Sequence, residues 1–217
     1  MKNLTLFTLL FFATFMVSAQ KTVEDRQPVN GQQTLKLDFP FADEIRIETW
    51  DKSEVLVEAI VNINDNEDND LFEIRSSATE RRIYMEMDER VWDDRSKKKS
   101  KKNCWNSEIN IKVFLPKSLE IDAETISGDY ELAYYGKPFY FKTVSGDLDL
   151  SVDPDADLDF MVKTVTGEVY SDLDLSYPRG KDGLRQIVGM DVEGRLNNGG
   201  EILELKTVSG NVFLRSN

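Results

Sequence analysis

Along most of this chain, apolar side chains alternate with polar ones at a spacing of two. Leu35, Leu37 and Phe39 form one such set, and Val55, Val57, Ala59, Val61 and Ile63 a longer one. Ile83, Met85 and Met87 form a third, and Ile109, Ile111, Val113 and Leu115, ended by Pro116, a fourth. Side chains of a strand point alternately to its two faces, so each set predicts a strand with one face buried. No long window carries an apolar period of 3.6 residues, so no helix is predicted. The pattern describes an all-β protein.

In the second half the alternation is interrupted at regular points by one phrase. It occurs as Thr125-Ile126-Ser127-Gly128, Thr143-Val144-Ser145-Gly146, Thr164-Val165-Thr166-Gly167 and Thr207-Val208-Ser209-Gly210. The glycines are 18, 21 and 43 residues apart, the last close to two periods. Before each phrase the apolar residues keep one parity (Leu119, Ile121, Ala123; Phe139, Phe141; Phe160, Val162; Leu203, Leu205), which the threonine continues. After it the parity flips: Ile126, Tyr130, Leu132; Val144, Leu148, Leu150; Val165, Val169, Leu173, Leu175; Val208, Val212, Leu214. On a straight strand that slip would turn the apolar set outward. It stays inward only if the backbone turns a corner, and the glycine stands where a corner would need positive φ. Each period reads as strand, corner, strand. Stacked copies predict a β-solenoid, right-handed and β-helix-like, with longer antiparallel-type strands in the N-terminal half.

Three places are less regular. Ile45 to Thr49, followed by Trp50-Asp51-Lys52, reads as a degenerate earlier copy. A further rung would fall at Gly189 by period, whereas alternation in Met190, Val192 and Leu196 favours a turn near Gly194. Asn197-Asn198-Gly199-Gly200 is a tight turn. Loops are expected over Asn64 to Asp70, Val91 to Asn106 and Tyr177 to Gly183.

The Thr-Val-Ser-Gly copies followed by Asp or Asn, the Asn-Asn-Gly-Gly turn, and Phe41-Ala42-Asp43-Glu44-Ile45 through Lys52 resemble the bacterial "putative adhesin" β-strand-repeat family, a domain of unknown function. The resemblance covers most of the chain. It implies a β-solenoid on an exported protein, and no catalytic residues are carried over with it.

The first residues change the picture of where the protein works. Lys2, an apolar run from Leu4 to Val17, and the small residues Val17-Ser18-Ala19 read as a cleaved signal peptide over residues 1–19. The run is shorter than the ~20 residues of a membrane-spanning helix. Gln20 would then lead, offering no thiol for a lipid anchor, and no later segment is apolar enough to span a bilayer. The remaining 198 of 217 residues suffice for one domain over 20–217, divided into a 20–116 part with a basic loop at 91–106 and a 117–217 part holding the rungs. Loss of Lys2 takes the net charge from −13 to −14, which repels nucleic acid and anionic lipid.

Histidine is absent and Cys104 is the one cysteine. That excludes an intramolecular disulfide, Ser-His-Asp and Cys-His catalysis, imidazole sites and thiolate zinc clusters. Cys104 has two roles open, an intermolecular bridge or a small half-buried hydrophobe. Any catalysis would fall to carboxylates, lysine, arginine or tyrosine, and any metal would be hard and oxygen-bound.

Four constellations carry what chemistry there is. Asp129, Asp147, Glu168 and Asn211 follow the repeat glycines and would form one column with ~4.8 Å between rungs, each like-charge pair costing roughly 0.9 kcal/mol in water. That cost is tolerable, so the column reads as solvated turns with weak Ca2+ binding as the functional alternative. Asp153, Asp155, Asp157 and Asp159 alternate but lack the glycine and glutamate of an EF-hand loop, as does the acidic run Asn64 to Asp70. Lys97-Lys98-Lys99-Ser100-Lys101-Lys102, flanked by Trp92 and Trp105, is a basic block read as a solvated loop, with an anionic glycan, a lipid headgroup or the protein's own acidic surface as its alternative partner. Tyr134, Tyr135, Phe139, Tyr140, Phe141 and Tyr170 crowd the repeats. Phe139 and Phe141 have core parity, and an outward tyrosine could stack on sugar.

No catalytic, cofactor-binding or metal residue is assigned. The reading is an exported, non-enzymatic β-solenoid of the periplasm or cell surface, presenting a rigid face to an unknown protein or envelope glycan. Two others stand beside it: a carbohydrate-active enzyme on a β-helix using carboxylates, and an envelope signalling accessory.

Overall fold

The computed structural model describes residues 20–88, 106–177 and 189–217. The signal-peptide stretch, the basic block with Trp92, Cys104 and Trp105, and most of the Tyr177 to Gly183 loop lie outside them. Among the described residues the chain is all-β, and its one helical turn is the three-residue Asn69–Leu71.

The alternating sets form strands where the pattern places them, and residues 21–28 and 74–78 add two strands that it does not mark. In the N-terminal half these are β1 (Lys21–Pro28), β2 (Thr34–Asp38), β3 (Glu44–Trp50), β4 (Glu54–Ile63), β5 (Ile74–Ala78), β6 (Arg82–Met87) and β7 (Ser107–Pro116). In the repeat region they are β8 (Glu120–Glu124), β9 (Asp129–Ala133), β10 (Phe139–Lys142), β11 (Leu148–Val152), β12 (Leu158–Thr164), β13 (Val169–Ser171), β14 (Leu175–Ser176), β15 (Met190–Leu196), β16 (Glu201–Lys206) and β17 (Val212–Ser216). They build two mixed sheets that do not close on each other. Sheet A runs β1-β4-β7-β3-β9-β11-β17-β13, and sheet B runs β14-β15-β12-β16-β10-β8-β2-β6-β5. Both halves of the chain share both sheets. One continuous core lies between them, drawing on Leu35, Val57, Met85 and Val113 from the first half and Phe141, Leu150, Phe160 and Leu205 from the second.

Each repeat phrase joins a strand of sheet B to a strand of sheet A. The resulting layers, β2–β3, β8–β9, β10–β11, β16–β17 and β12–β13, are parallel and in register with their neighbours. The layering departs from chain order: β16–β17, the last segment, lies between β10–β11 and β12–β13. Between β13 and β16 the chain adds β14 and β15, and β15 pairs antiparallel with β12. No rung forms at Gly189 or Gly194. The Asn197–Gly200 turn is present, with positive φ at Asn197 and Gly199.

The first corner is not where the degenerate copy pointed. Thr49 to Lys52 connects β3 to β4, two strands of sheet A separated by β7. The corner equivalent to the repeat phrase is Phe39-Pro40-Phe41-Ala42-Asp43: the Phe39 carbonyl accepts from Thr125 Oγ1 at 2.8 Å, and the Ala42 carbonyl faces Gly128. Proline and alanine there share no letters with the later copies, so the equivalence is conformational alone.

Candidate binding surface

The repeat phrase is a corner bonded to the layers beside it. The threonine is buried: Thr207 Oγ1 donates to the Gly146 carbonyl at 3.2 Å and Thr164 Oγ1 to the Gly210 carbonyl at 3.0 Å. The residue after it points outward, against the parity expectation. Ile126, Val144, Val165 and Val208 are between 40 and 48% exposed, because the backbone at this point is spent on layer-to-layer bonds such as Ser209 N to the Val144 carbonyl at 2.9 Å. The inward set resumes at Tyr130, Leu148, Val169 and Val212.

The glycines form one column, Gly128, Gly146, Gly210, Gly167, above Ala42. Positive φ is not their reason; none of the four adopts it. A Cβ would stand 2.1 Å from the Gly128 carbonyl oxygen at Gly146, 2.0 Å from that of Gly146 at Gly210, and 1.7 Å from that of Gly210 at Gly167. Glycine is required by the approach of one layer to the next.

The acidic column after the glycines is a hydrogen-bond ladder. Asp129 Oδ1 accepts from Asp147 N at 2.8 Å, Asp147 Oδ1 from Asn211 N at 2.6 Å, and Asn211 Oδ1 from Glu168 N at 3.1 Å. A short acceptor suits the position, and aspartate and asparagine serve alike. Among the described residues Glu168 ends the ladder. Its longer carboxylate instead takes the Tyr170 hydroxyl, which raises the phenol's pKa.

The other acidic groups are also employed in holding turns. Asp157 Oδ1 accepts from Asn198 N at 3.0 Å, and Asp159 from Arg195 Nε at 2.8 Å and Gly200 N at 3.3 Å, so the alternate aspartates clasp the Asn197–Gly200 turn. In the Asn64–Asp70 loop, Asn64, Asp65 and Asn66 take positive φ, and buried Asn69 Oδ1 accepts from Ile63 N at 2.7 Å. Among the described residues no group of three or more carboxylates could hold a metal ion.

The broad outer face of sheet A is the candidate binding surface. A single cross-strand row runs Tyr170, Phe213, Asp149, Glu131, Arg46, Lys112, Glu58, Glu24, one residue from each of the eight strands. At ~4.8 Å per strand it is about 34 Å wide. Tyr170 and Phe213 stack with centroids 5.3 Å apart, Arg215 lies 4.9 Å from the Phe213 ring, and its Nε reaches Asp149 at 2.8 and 2.9 Å. Arg46 bridges Glu131 at 2.7 Å and Glu44 at 2.9 Å, and those two charges raise its pKa further. Strand spacing fixes these groups in register, giving a rigid pattern of stacked rings and paired charges. Phe213 and Arg215 escape a sequence reading because they follow the last phrase on its outward parity, where polar side chains are expected.

Of the other aromatic residues, Phe139 and Phe141 are core, and Tyr135 anchors the Leu119 carbonyl at 2.8 Å. Tyr134 meets the Phe139 ring edge-on, and Tyr140 lies on the outer face of sheet B beneath Lys206. That sheet also carries an open groove of about 520 Å³ whose lining includes Asp159, Met161, Tyr177, Glu193, Arg195 and Ile202. Here carboxylates and an arginine converge, the arrangement a glycosidase would need. The Asp159 carboxyl is, however, held below its ordinary range by its hydrogen bond from Arg195, outweighing burial, which suits a fixed acceptor and not a proton donor.

No protein-family model matches the chain. No curated protein sequence matches it either. Its fold is similar to that of a "putative cell adhesion protein" from Clostridium sporogenes, with a TM-score of 0.57 and 12% identity over 91% of this chain and 100% of that one. A "putative adhesin" from Bacteroides fragilis aligns over 92% of this chain and 99% of its own at 9% identity, with a TM-score of 0.31. The structural neighbours thus carry adhesin names at low identity, and the first supports the fold.

Proposed function

We propose that this chain is an exported, non-enzymatic binding protein of the cell envelope, an adhesin-like scaffold built as a β-solenoid-type stack, which meets its partner on the outer face of sheet A. The observation that carries the reading is the register-locked row across eight strands, with stacked rings at one end and acidic, basic and acidic pairs of residues beyond them. A surface of this kind recognises by shape, stacking and ionic complementarity and needs no reacting group. The Glu124 and Asp159 carboxyls are held below their ordinary range, chiefly by hydrogen bonds from Lys36 and Arg195, which suits fixed acceptors and supports binding over general-acid catalysis. The signal-peptide character of residues 1–19 supports export to the periplasm or cell surface.

The test is retention of envelope glycans and proteins on immobilised residues 20–217, compared with Tyr170→Ser and Arg46→Glu on the same face. Retention by the parent and its loss in both variants is the expected result. Equal retention by all three would remove sheet A as the surface. Release of reducing sugar from an envelope polysaccharide, lost on Glu193→Gln, would favour the enzyme instead.

A further inference from the structure

The two ends of the layered sheets differ. At one end the edge strands β1 and β5 lean together, and Gln27 Nε2 donates to Ser76 Oγ at 2.6 Å between them. At the other end sheet B continues past its last layer through β15 and β14, while sheet A stops at the three-residue β13. Among the described residues sheet A is two strands short there. The Glu168 carbonyl accepts from Val212 N at 2.9 Å and Asp172 N donates to the Leu214 carbonyl at 3.3 Å. Alternation therefore turns the backbone groups of Val169 and Ser171 away from β17, and among the described residues no backbone bond meets them on that side. Their side chains face the interior yet stay half-buried and exposed, although their register partners Val212 and Leu214 are buried. Under the overhanging β15, Val192 is half-buried and Met190 37% exposed.

We propose that this end takes an added strand in sheet A from a partner protein: an extended segment in which apolar residues alternate with lysine or arginine. Main-chain groups of Val169 and Ser171 supply the register. Every second side chain of the incoming strand would lie beneath β15 and cover Val192 and Met190. The others would stand beside Glu168 and Asp172. Among the described residues these two carboxylates form no ion pair; they accept only from the Tyr170 hydroxyl and from Ser216 N. That acidic rim selects cationic residues and disfavours a second copy of this chain. Two β13 edges paired antiparallel about Tyr170 would set Glu168 of each against Asp172 of the other, like charge on like charge. The proposal needs the sheet edge alone and stands apart from the face of sheet A.

The experiment uses residues 20–217 and fluorescent ten-residue peptides in which Val or Ile alternates with Lys or Arg, read by anisotropy. Saturable binding that weakens with salt is expected. Ser171→Pro removes an outward N–H that no described residue uses and should abolish it; Glu168→Lys with Asp172→Lys should weaken it at least tenfold, and Arg46→Glu on the sheet face should leave it unchanged. Circular dichroism melts establish that each variant is folded. No binding by the parent, equal binding by the charge-reversed variant, or equal binding of peptides carrying Glu in place of Lys would overturn the proposal. So would a dimer in sedimentation that Ser171→Pro dissociates, which assigns the edge to a second copy. Tenfold tighter peptide binding after exchange of residues 178–188 for a Gly-Ser linker would also overturn it, assigning the edge to this chain's own segment.

Discussion

Gly146 sits in the middle of the glycine column, and alanine there tests the close-approach argument directly. The added Cβ would stand 2.1 Å from the Gly128 carbonyl oxygen. Comfortable heavy-atom contact begins near ~3.5 Å, so the two layers would have to separate by roughly 1.4 Å. The obstacle is backbone and cannot rotate away. Overpacking of this kind costs about 3 kcal/mol, the upper end of its usual range. The same shift loosens the bond from Asp147 N to Asp129 Oδ1 between those layers, now 2.8 Å, adding about 1 kcal/mol. Alanine also restricts the unfolded chain, which returns ~0.4–1 kcal/mol. A net loss of about 3 kcal/mol lowers Tm by roughly 6–12 °C in a chain of this size. The control is Gly194→Ala, whose Cβ would meet Leu175 Cδ1 at an ordinary 3.6 Å and whose φ is not positive; it should melt at or slightly above the parent. Thermal denaturation followed by circular dichroism reads both. If Gly146→Ala melts within about 2 °C of Gly194→Ala, the layers are not held at the spacing described, and the reason given for the conserved letter of the phrase is wrong.

Thr143 and Thr207 occupy the same corner position, but the Thr143 hydroxyl is buried without a partner. Thr143→Val should be neutral or stabilising by up to ~1 kcal/mol in urea melts, and Thr207→Val destabilising by about 1 kcal/mol. Burial pulls the Lys36 ammonium down, yet its hydrogen bonds to Glu124 at 2.7 Å and Asp122 at 2.9 Å, with their charge, carry it above its ordinary 10.5; the Glu124 carboxyl is held below 4.5, chiefly by the bond from Lys36. Their stabilisation is present between those values, fading as pH falls below 4.5 through the folded pKa of Glu124 and as it rises past 10.5 through that of Lys36. Lys36→Met should cost about 1 kcal/mol at pH 7 and flatten the acid limb of a Tm-against-pH curve; an unaltered limb would refute the pairing. Asp147→Asn should keep the ladder, as Asn211 does, whereas Asp147→Ala should cost ~1–2 kcal/mol in the same melts. Because the ladder carboxylates are already aimed at backbone N–H groups, millimolar Ca2+ should leave Tm unchanged, and a rise would return the column to metal binding.

Strand existence was legible because it rests on period two, and Leu35, Val57, Met85 and Val113 obey it without exception. The corner was legible as a parity slip, but its geometry was not. Positive φ and close approach both call for glycine, and only the Gly128-to-Gly146 distance separates them. Ile126 and the three valines were read as interior because the parity after the slip includes them; the corner's own layer-to-layer bonds turn them outward. The earliest corner was invisible, since buried Ala42 ends the column and no further repeat corner is stacked beyond it to demand glycine. The binding face was the least legible. Tyr170 is on it, yet what aligns Tyr170 with Phe213 and Asp149 is the register of strands distant in sequence, which no local pattern encodes.

That register follows from the one departure from chain order. In a row of repeats wound in succession, each unit stabilises only its neighbours, and stability is nearly additive. Here β16–β17, residues 201–216, supply both flanks: Leu203 and Leu205 pair with Phe139 and Phe141 on one side and with Phe160 and Val162 on the other. Until that segment is placed, β10–β11 has no partner on its far side, and β12–β13 is paired only with the antiparallel β15, which reaches no other layer. The contacts that complete the stack join residues about 60 apart, so their closure entropy is met late and all at once. The chain therefore folds as one unit and not rung by rung. The same insertion places Phe213 between Tyr170 and Asp149, so the step that closes the core is also the step that assembles the outer row of sheet A.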